Sequence, residues 1–310
     1  MPEPAARASS TTTQPAPARP QVLYVMGAGR SGSTILGVAL GNCENLFYAG
    51  ELDAWLARSG ASQLKDEERT RFWNEVRLRV RGADPLYGRE PERAIERSLS
   101  LLRVNKWRAR RRLRTPYRQV AESLYQAITA AAGTMFIVDT SHYPLRAREL
   151  QELNGIDLYL LYLVRDPRSV VASFNRHDVA QYTKSTLTTN VYLWLTNLLA
   201  VLVFLRHPRE RRLFVRYEDF VEDPARVLAE ILGRAGLTAA PPDFSRLLTG
   251  VPFQGNRLIR SEVIALESGP PKRAGRSALT TVLQLPWAFV LARLKPSTSS
   301  PTGGARAVRE

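Results

Sequence analysis

In the stretch GAGRSGST, Gly27 and Gly32 stand with four residues between them, Arg30 inside the interval and Ser33-Thr34 directly after it. Small residues let backbone N–H groups close around an anion, and a following helix start points further N–H groups at it. The spacing is nearly that of the nucleotide P-loop, except that Ser33 stands where that loop carries lysine. The cation comes earlier, at Arg30. The chemistry expected is binding of a phosphate-like group, and a Walker-type ATPase is disfavoured. An ordinary βα turn rich in small residues is the bland alternative.

Other reactive side chains lie at segment ends. Glu51 follows Gly50 and opens a helix-like pattern, where an acid is favourable on position alone. Asp139, Ser141 and His142 follow a short apolar run and are site candidates, although Asp139-Thr140-Ser141 also fits a turn that caps the next helix. Arg165 follows the continuous apolar run 158–164, the clearest strand of the chain. Ser173 follows Asp166 by seven residues, about two helical turns, and so shares its face. Arg165 and Ser173 together would offer charge-assisted bonds to a second phosphate. Pairing of Arg165 with a nearby acid fits equally well.

These groups need elements to hold them. Residues 22–26 read as a strand, 35–40 as helix-compatible, and Gly41-Asn42 as its close. Residues 135–139 and 158–164 read as strands, the second apolar throughout as if buried on both faces of a parallel sheet. Asp166 and Pro167 make a helix start. Residues 190–205 read as an apolar helix and 212–219 as a fourth strand. An amphipathic helix follows, with Leu228, Ile231 and Leu232 inward; 278–294 fits a terminal helix. Four strand–helix units around one phosphate loop imply an α/β fold: a P-loop-like central parallel sheet flanked by helices, with a helical lid or insertion over about 55–130. The expected organisation is one domain over 21–295, with disordered tails at 1–20 and 296–310.

Composition narrows the partners. The 310 residues hold 44 Lys and Arg against 29 Asp and Glu, a net charge of +15, which favours anionic ligands or surfaces. One cysteine and three scattered histidines (His142, His177, His207) leave no metal-ligand pattern, and no metal is expected. Residues 103–118 carry eight Lys or Arg and no acid, either a solvated helix face or a patch for an anionic acceptor. No nucleic-acid motif accompanies them, so nucleic acid is not expected. Residues 191–205 are too short an apolar run to span a bilayer, and 1–20 lack the apolar core of a signal peptide. The expectation is a cytoplasmic protein, with peripheral membrane contact left open. Oligomeric state is not legible.

Taken in order, GAGRSGSTIL, Gly50-Glu51, VDTSHYPLRAREL, LYLVRDPRSVVASF, FVRYEDFVEDP and GNR resemble the PAPS-dependent sulfotransferases, of the bacterial soluble type and the tyrosylprotein and carbohydrate branch. The resemblance spans about 22–260. It implies that Arg30, Ser31, Gly32, Ser33 and Thr34 hold the 5′-phosphosulfate of PAPS, and that Arg165 and Ser173 bind its 3′-phosphate. Tyr217, Asn256 and Arg257 would be further cofactor contacts, with Lys272 and Arg273 as rivals to Arg257. Glu51 would be the catalytic base and Arg30 would stabilise the leaving phosphate. His142 stands where relatives often carry lysine, and would replace that cation or act as base itself. The implied activity is transfer of a sulfuryl group from PAPS to a hydroxyl of a small-molecule, glycan, lipid or peptide acceptor, releasing PAP. Acceptor contacts are expected from 55–130 and 176–190. The competing readings are an ATP-dependent small-molecule kinase and a non-catalytic binder of anionic polymers or surfaces.

Overall fold

The computed structural model describes residues 19–62, 64, 66–175, 185–269 and 277–294. Most of both expected tails, His177, Lys272 and Arg273 lie outside the described residues. Strand β1 (Gln21–Gly27) is central, and Val22 to Met26 are fully buried. Burial on both faces is why the run shows no polar alternation. Residues 22, 24 and 26 pack into one core and 23 and 25 into the other, the period-2 signature of a strand between two helical layers.

Helix α1 (Ser33–Gly41) leads to β2 (Leu46–Gly50). Helices α2 (Ala54–Ala57), α3 (Glu67–Arg79) and α4 (Val104–Ala132), joined by short 3₁₀ and π turns, form the expected helical insertion. Then come β3 (Phe136–His142), α5 (Pro144–Leu150), β4 (Asp157–Val164), α6 (Pro167–Phe174), α7 (Thr186–Arg206) and β5 (Arg212–Arg216). Helices α8 (Tyr217–Glu222) and α9 (Pro224–Arg234), the antiparallel pair β6 (Leu247–Leu248) and β7 (Val263–Ile264), and α10 (Ala278–Ala292) follow.

The sheet is parallel throughout, in the order β2-β3-β1-β4-β5. The chain leaves β1 toward one edge and later crosses to the other, so the tip of β1 is the switch point where ligands gather in such sheets. Three details differ from the sequence reading. There are five strands in this sheet, not four: β2 is a short edge strand ending in Gly50, with too few residues to show a pattern. β3 continues three residues past Asp139. The run 212–219 is strand only to Arg216, where Tyr217 opens α8.

The basic run is neither wholly solvated nor wholly free. Arg110, Arg114 and Arg118, one α4 turn apart, converge on the fully buried Glu149 of α5, at 3.1, 3.2 and 2.8 Å. Asp139 and Ser141, expected at the site, are fully buried instead. Asp139 accepts from the Ser141 N–H at 2.8 Å, from the Ser141 hydroxyl, and from Tyr125 at 2.6 Å. Arg146 of α5 donates to Asp139 (3.3 Å), Glu96 (2.9 Å) and Tyr117 (2.7 Å). This network joins the insertion to the sheet. Cys43 sits under α1 in the second core, and burial pushes its thiol up to about 11.

Candidate active site

The loop between β1 and α1 carries the site. Gly32 caps α1 in the left-handed region, φ 95°. A Cβ there would lie 2.3 Å from the Tyr217 ring, so only glycine fits. The first α1 amides precede the first intrahelical bond, Leu36 N–H to the Gly32 carbonyl at 3.2 Å, and so have no intrahelical acceptor. Ser33 and Thr34 occupy that first turn and are nearly buried. Gly32→Ala is expected to destabilise the fold by more than about 1 kcal/mol, read as a fall in thermal midpoint; an unchanged midpoint would contradict the close packing of Tyr217.

Four predicted residues meet at this loop. Arg30, itself at φ 70°, donates from Nε to Ser173 Oγ at 3.0 Å. Arg165, at the tip of β4, donates to the Arg30 carbonyl at 3.2 Å and lies 4.4 Å above the Tyr217 ring. β4 and α6 deliver Arg165 and Ser173 as the spacing implied, and Asp166 caps α6 by accepting from the Arg168 N–H. Ser31 is buried behind the loop. Its Oγ has no partner among the described residues and lines a cavity of about 80 Å³ with Arg165, Gln284 and Trp287. Asn256 caps the turn Arg257–Arg260 by accepting from the Leu258 N–H at 2.8 Å. That turn packs on α1, Gly255 just before it lies against Thr34 of the first α1 turn, and Arg257 is exposed.

Glu51 follows the tip of β2. Gly50 is left-handed at φ 81°, and a Cβ there would strike the Gln254 carbonyl at 2.4 Å. The Glu51 N–H donates to that carbonyl at 2.8 Å. The Glu51 carboxyl is raised from its ordinary 4.5 to about 7. Burial is the main cause and the Asp139 charge adds to it; a Gln254 hydrogen bond and the Arg30 and Arg97 charges pull the other way. The Asp53 carboxyl, two residues on, is pushed well above its ordinary range by burial first, with the Glu96 and Glu51 charges adding to it. His142, at φ 56°, is pushed down to about 4 by burial and Arg97, so it is neutral at pH 7.

Between the loop and α7 lies a cavity of about 220 Å³, lined by Gly29, Arg97, His142, Tyr143, Phe174 and Tyr192 among others. Tyr192 accepts from the Gly29 N–H at 2.8 Å. Arg97 lies 4.6 Å over the Tyr143 ring and pairs with Glu92. Sequence reasoning missed Arg97, Gln254 and Tyr192. Arg97 is one of many charges in the insertion, and only the fold singles it out. Tyr192 left only a weak trace, one of the polar side chains, with Thr196 and Asn197, in the run 191–205. Of the expected acceptor loop, 176–184 lie outside the described residues.

The donors at the loop are guanidinium, hydroxyl and amide groups from four elements. That set fits a ligand with two phosphate-like ends. The chain matches the model of the Sulfotransferase family over residues 21–241. Among solved structures it is similar to the sulfotransferase domain from the curacin biosynthetic pathway, with 17% identity and a TM-score of 0.51, over 87% of this chain and 99% of that one. It is also similar to the sulfotransferase domain of the Synechococcus PCC 7002 olefin synthase, with 19% identity and a TM-score of 0.50, over 89% and 98%. At these identities the likeness is one of fold. No curated protein matches the chain.

Proposed function

This chain belongs to the sulfotransferase family, and from that premise we propose that it transfers the sulfuryl group of PAPS to an acceptor hydroxyl and releases PAP. The observation that carries the reading is the convergence of Arg30, Ser173 and Arg165 on a glycine-capped helix start, with Glu51 raised toward neutrality by burial and the Asp139 charge against the opposing pull of Arg30.

PAPS supplies an activated sulfuryl group. The loop amides and Arg30 would hold its phosphosulfate, Arg165 and Ser173 its 3′-phosphate, and Tyr217, stacked under Arg165, would be a further contact. The acceptor oxygen forms a bond to sulfur as the sulfur–oxygen bond to the phosphate breaks. The departing phosphate keeps the electron pair, and Arg30 and the amides stabilise that charge. Glu51 takes the hydroxyl proton. A carboxylate near pKa 7 is well matched to that task, whereas His142 near 4 is a weak base. The cavity beside Gly29 is the proposed acceptor site, with Arg97 and three aromatic rings as its contacts.

Calorimetric titration without metal tests the cofactor. PAP should bind tightly and ATP much more weakly. Arg165→Ala should weaken PAP about 10–100-fold, the loss of a charged hydrogen-bond donor. Binding of ATP alone, and only with Mg²⁺, would return the protein to the kinase reading.

A further inference from the structure

Two helices turn apolar side chains outward on one side of the fold. On α7, Leu187, Val191, Trp194, Leu198, Leu202 and Leu205 are 40–61% exposed. They recur every three or four residues and so form one stripe, roughly 27 Å long. On α10, Leu279, Val282, Leu285 and Phe289 are 52–69% exposed. The helices are locked together: Trp194 donates to the Leu283 carbonyl at 2.7 Å, its ring lies 5.2 Å from that of Trp287, and Gln284 donates to Asn190 at 2.9 Å. The two helices therefore pack against each other at Trp194. Neither helix contains an acidic residue.

Cations flank this face. Exposed Arg206 and Arg209 follow the end of the α7 stripe, and Arg148 lines a cavity with Arg206. The nearby acids are engaged, Asp157 by Arg211 at 2.9 Å and Glu152 by Arg118 at 3.9 Å, while Glu210 is exposed. Elsewhere, the turn Ser98–Leu102 packs on α7 and leads into exposed Arg103, Trp107 and Arg108.

We propose that the α7–α10 face docks on an anionic lipid bilayer, with its apolar side chains in the headgroup–acyl boundary and the flanking arginines on lipid phosphates. Charge selects this occupant over a second copy of the chain. A symmetric pairing through this face would face like-charged flanks in a protein of net charge +15, whereas an anionic surface neutralises them. α7 is long and apolar enough to cross a membrane, but half of that stretch is buried within the fold. The helix lies on the bilayer and does not span it. Thr188, Thr189 and Tyr192 of α7 also line the proposed acceptor cavity. They stand on a different face of the helix from the exposed stripe, so the docking and the sulfuryl-transfer reading do not depend on each other.

Flotation of the purified full chain with vesicles tests this. Binding is expected to vesicles of equal parts phosphatidylglycerol and phosphatidylcholine, weaker to phosphatidylcholine alone, and reduced by salt. The double variant Leu198→Glu/Phe289→Glu should lower partitioning by at least about tenfold, with PAP binding and thermal midpoint retained. Arg206→Glu/Arg209→Glu should lower it by about tenfold or more on anionic vesicles alone. No flotation of the unmodified chain with anionic vesicles would overturn the proposal. So would a stable dimer in lipid-free sedimentation that Leu198→Glu/Phe289→Glu dissociates. Neither result bears on PAP binding, so the cofactor reading stands or falls separately.

Discussion

Replacing Glu51 by glutamine is expected to lower kcat by about 10²–10⁴-fold while PAP affinity stays close to that of the unmodified protein. Glutamine keeps the size of the side chain and can still hydrogen-bond to Gln254, but it cannot accept the acceptor proton at useful rates. The pH profile makes the assignment sharper. With Glu51 titrating near 7, kcat/KM should rise with pH up to about 7 and level above it. That limb should vanish in the variant. Full activity in Glu51→Gln would remove the residue from the mechanism and leave His142 as the group to test. Stability carries the opposite sign. The folded carboxyl holds its proton up to about 7 whereas the unfolded one loses it near 4.5. The fold therefore loses stability as pH rises through that window, and Glu51→Gln should flatten the slope. An activity limb and a stability slope that disappear together are hard to obtain from a residue that merely packs.

The largest stability effect is expected at Arg146. Arg146→Met would leave Asp139 and Glu96 buried without their shared cation. Breaking a buried pair by removing one partner costs about 3–5 kcal/mol, a fall in thermal midpoint on the order of 10 °C. Arg112 provides the contrast. Its ion pair with Glu90 at 3.0 Å leaves the two side chains 67% and 51% exposed, and Arg112→Ala should cost no more than about 1 kcal/mol. Equal small shifts for the two variants would show that the network does not tie the insertion to the sheet.

The sequence was most legible where the chemistry is local. A phosphate loop is built from a few consecutive residues, so the residues from Gly27 to Thr34 could be read directly. Arg165 and Ser173 were readable because a strand end and two helical turns fix their relation. What depends on distant partners was not legible. Asp139 looked like a site residue because it ends an apolar run, and only the fold shows Tyr125 and Arg146 closing over it. The basic run looked like one surface, but Arg110, Arg114 and Arg118 turn inward to Glu149, which lies 31 to 39 residues away in sequence, a relation no local pattern carries. β2 was missed because an edge strand of five residues ending in glycine shows neither alternation nor a long apolar run. Arg97 was missed for the converse reason: one charge among many is distinguished only by what it stands beside.

Cys43 has a practical consequence. It is the chain's only cysteine, and its buried thiol, pushed up to about 11, is almost wholly un-ionised at neutral pH. Thiolate is the form that alkylating reagents attack, so this sulfur should stay silent to maleimides while the fold is intact. A cysteine introduced at Val191 or Val282 would then be the single reactive thiol of the molecule. Spectroscopic probes can be placed one position at a time along the exposed stripes, with no background mutation in the native chain, and their depth in a vesicle read residue by residue.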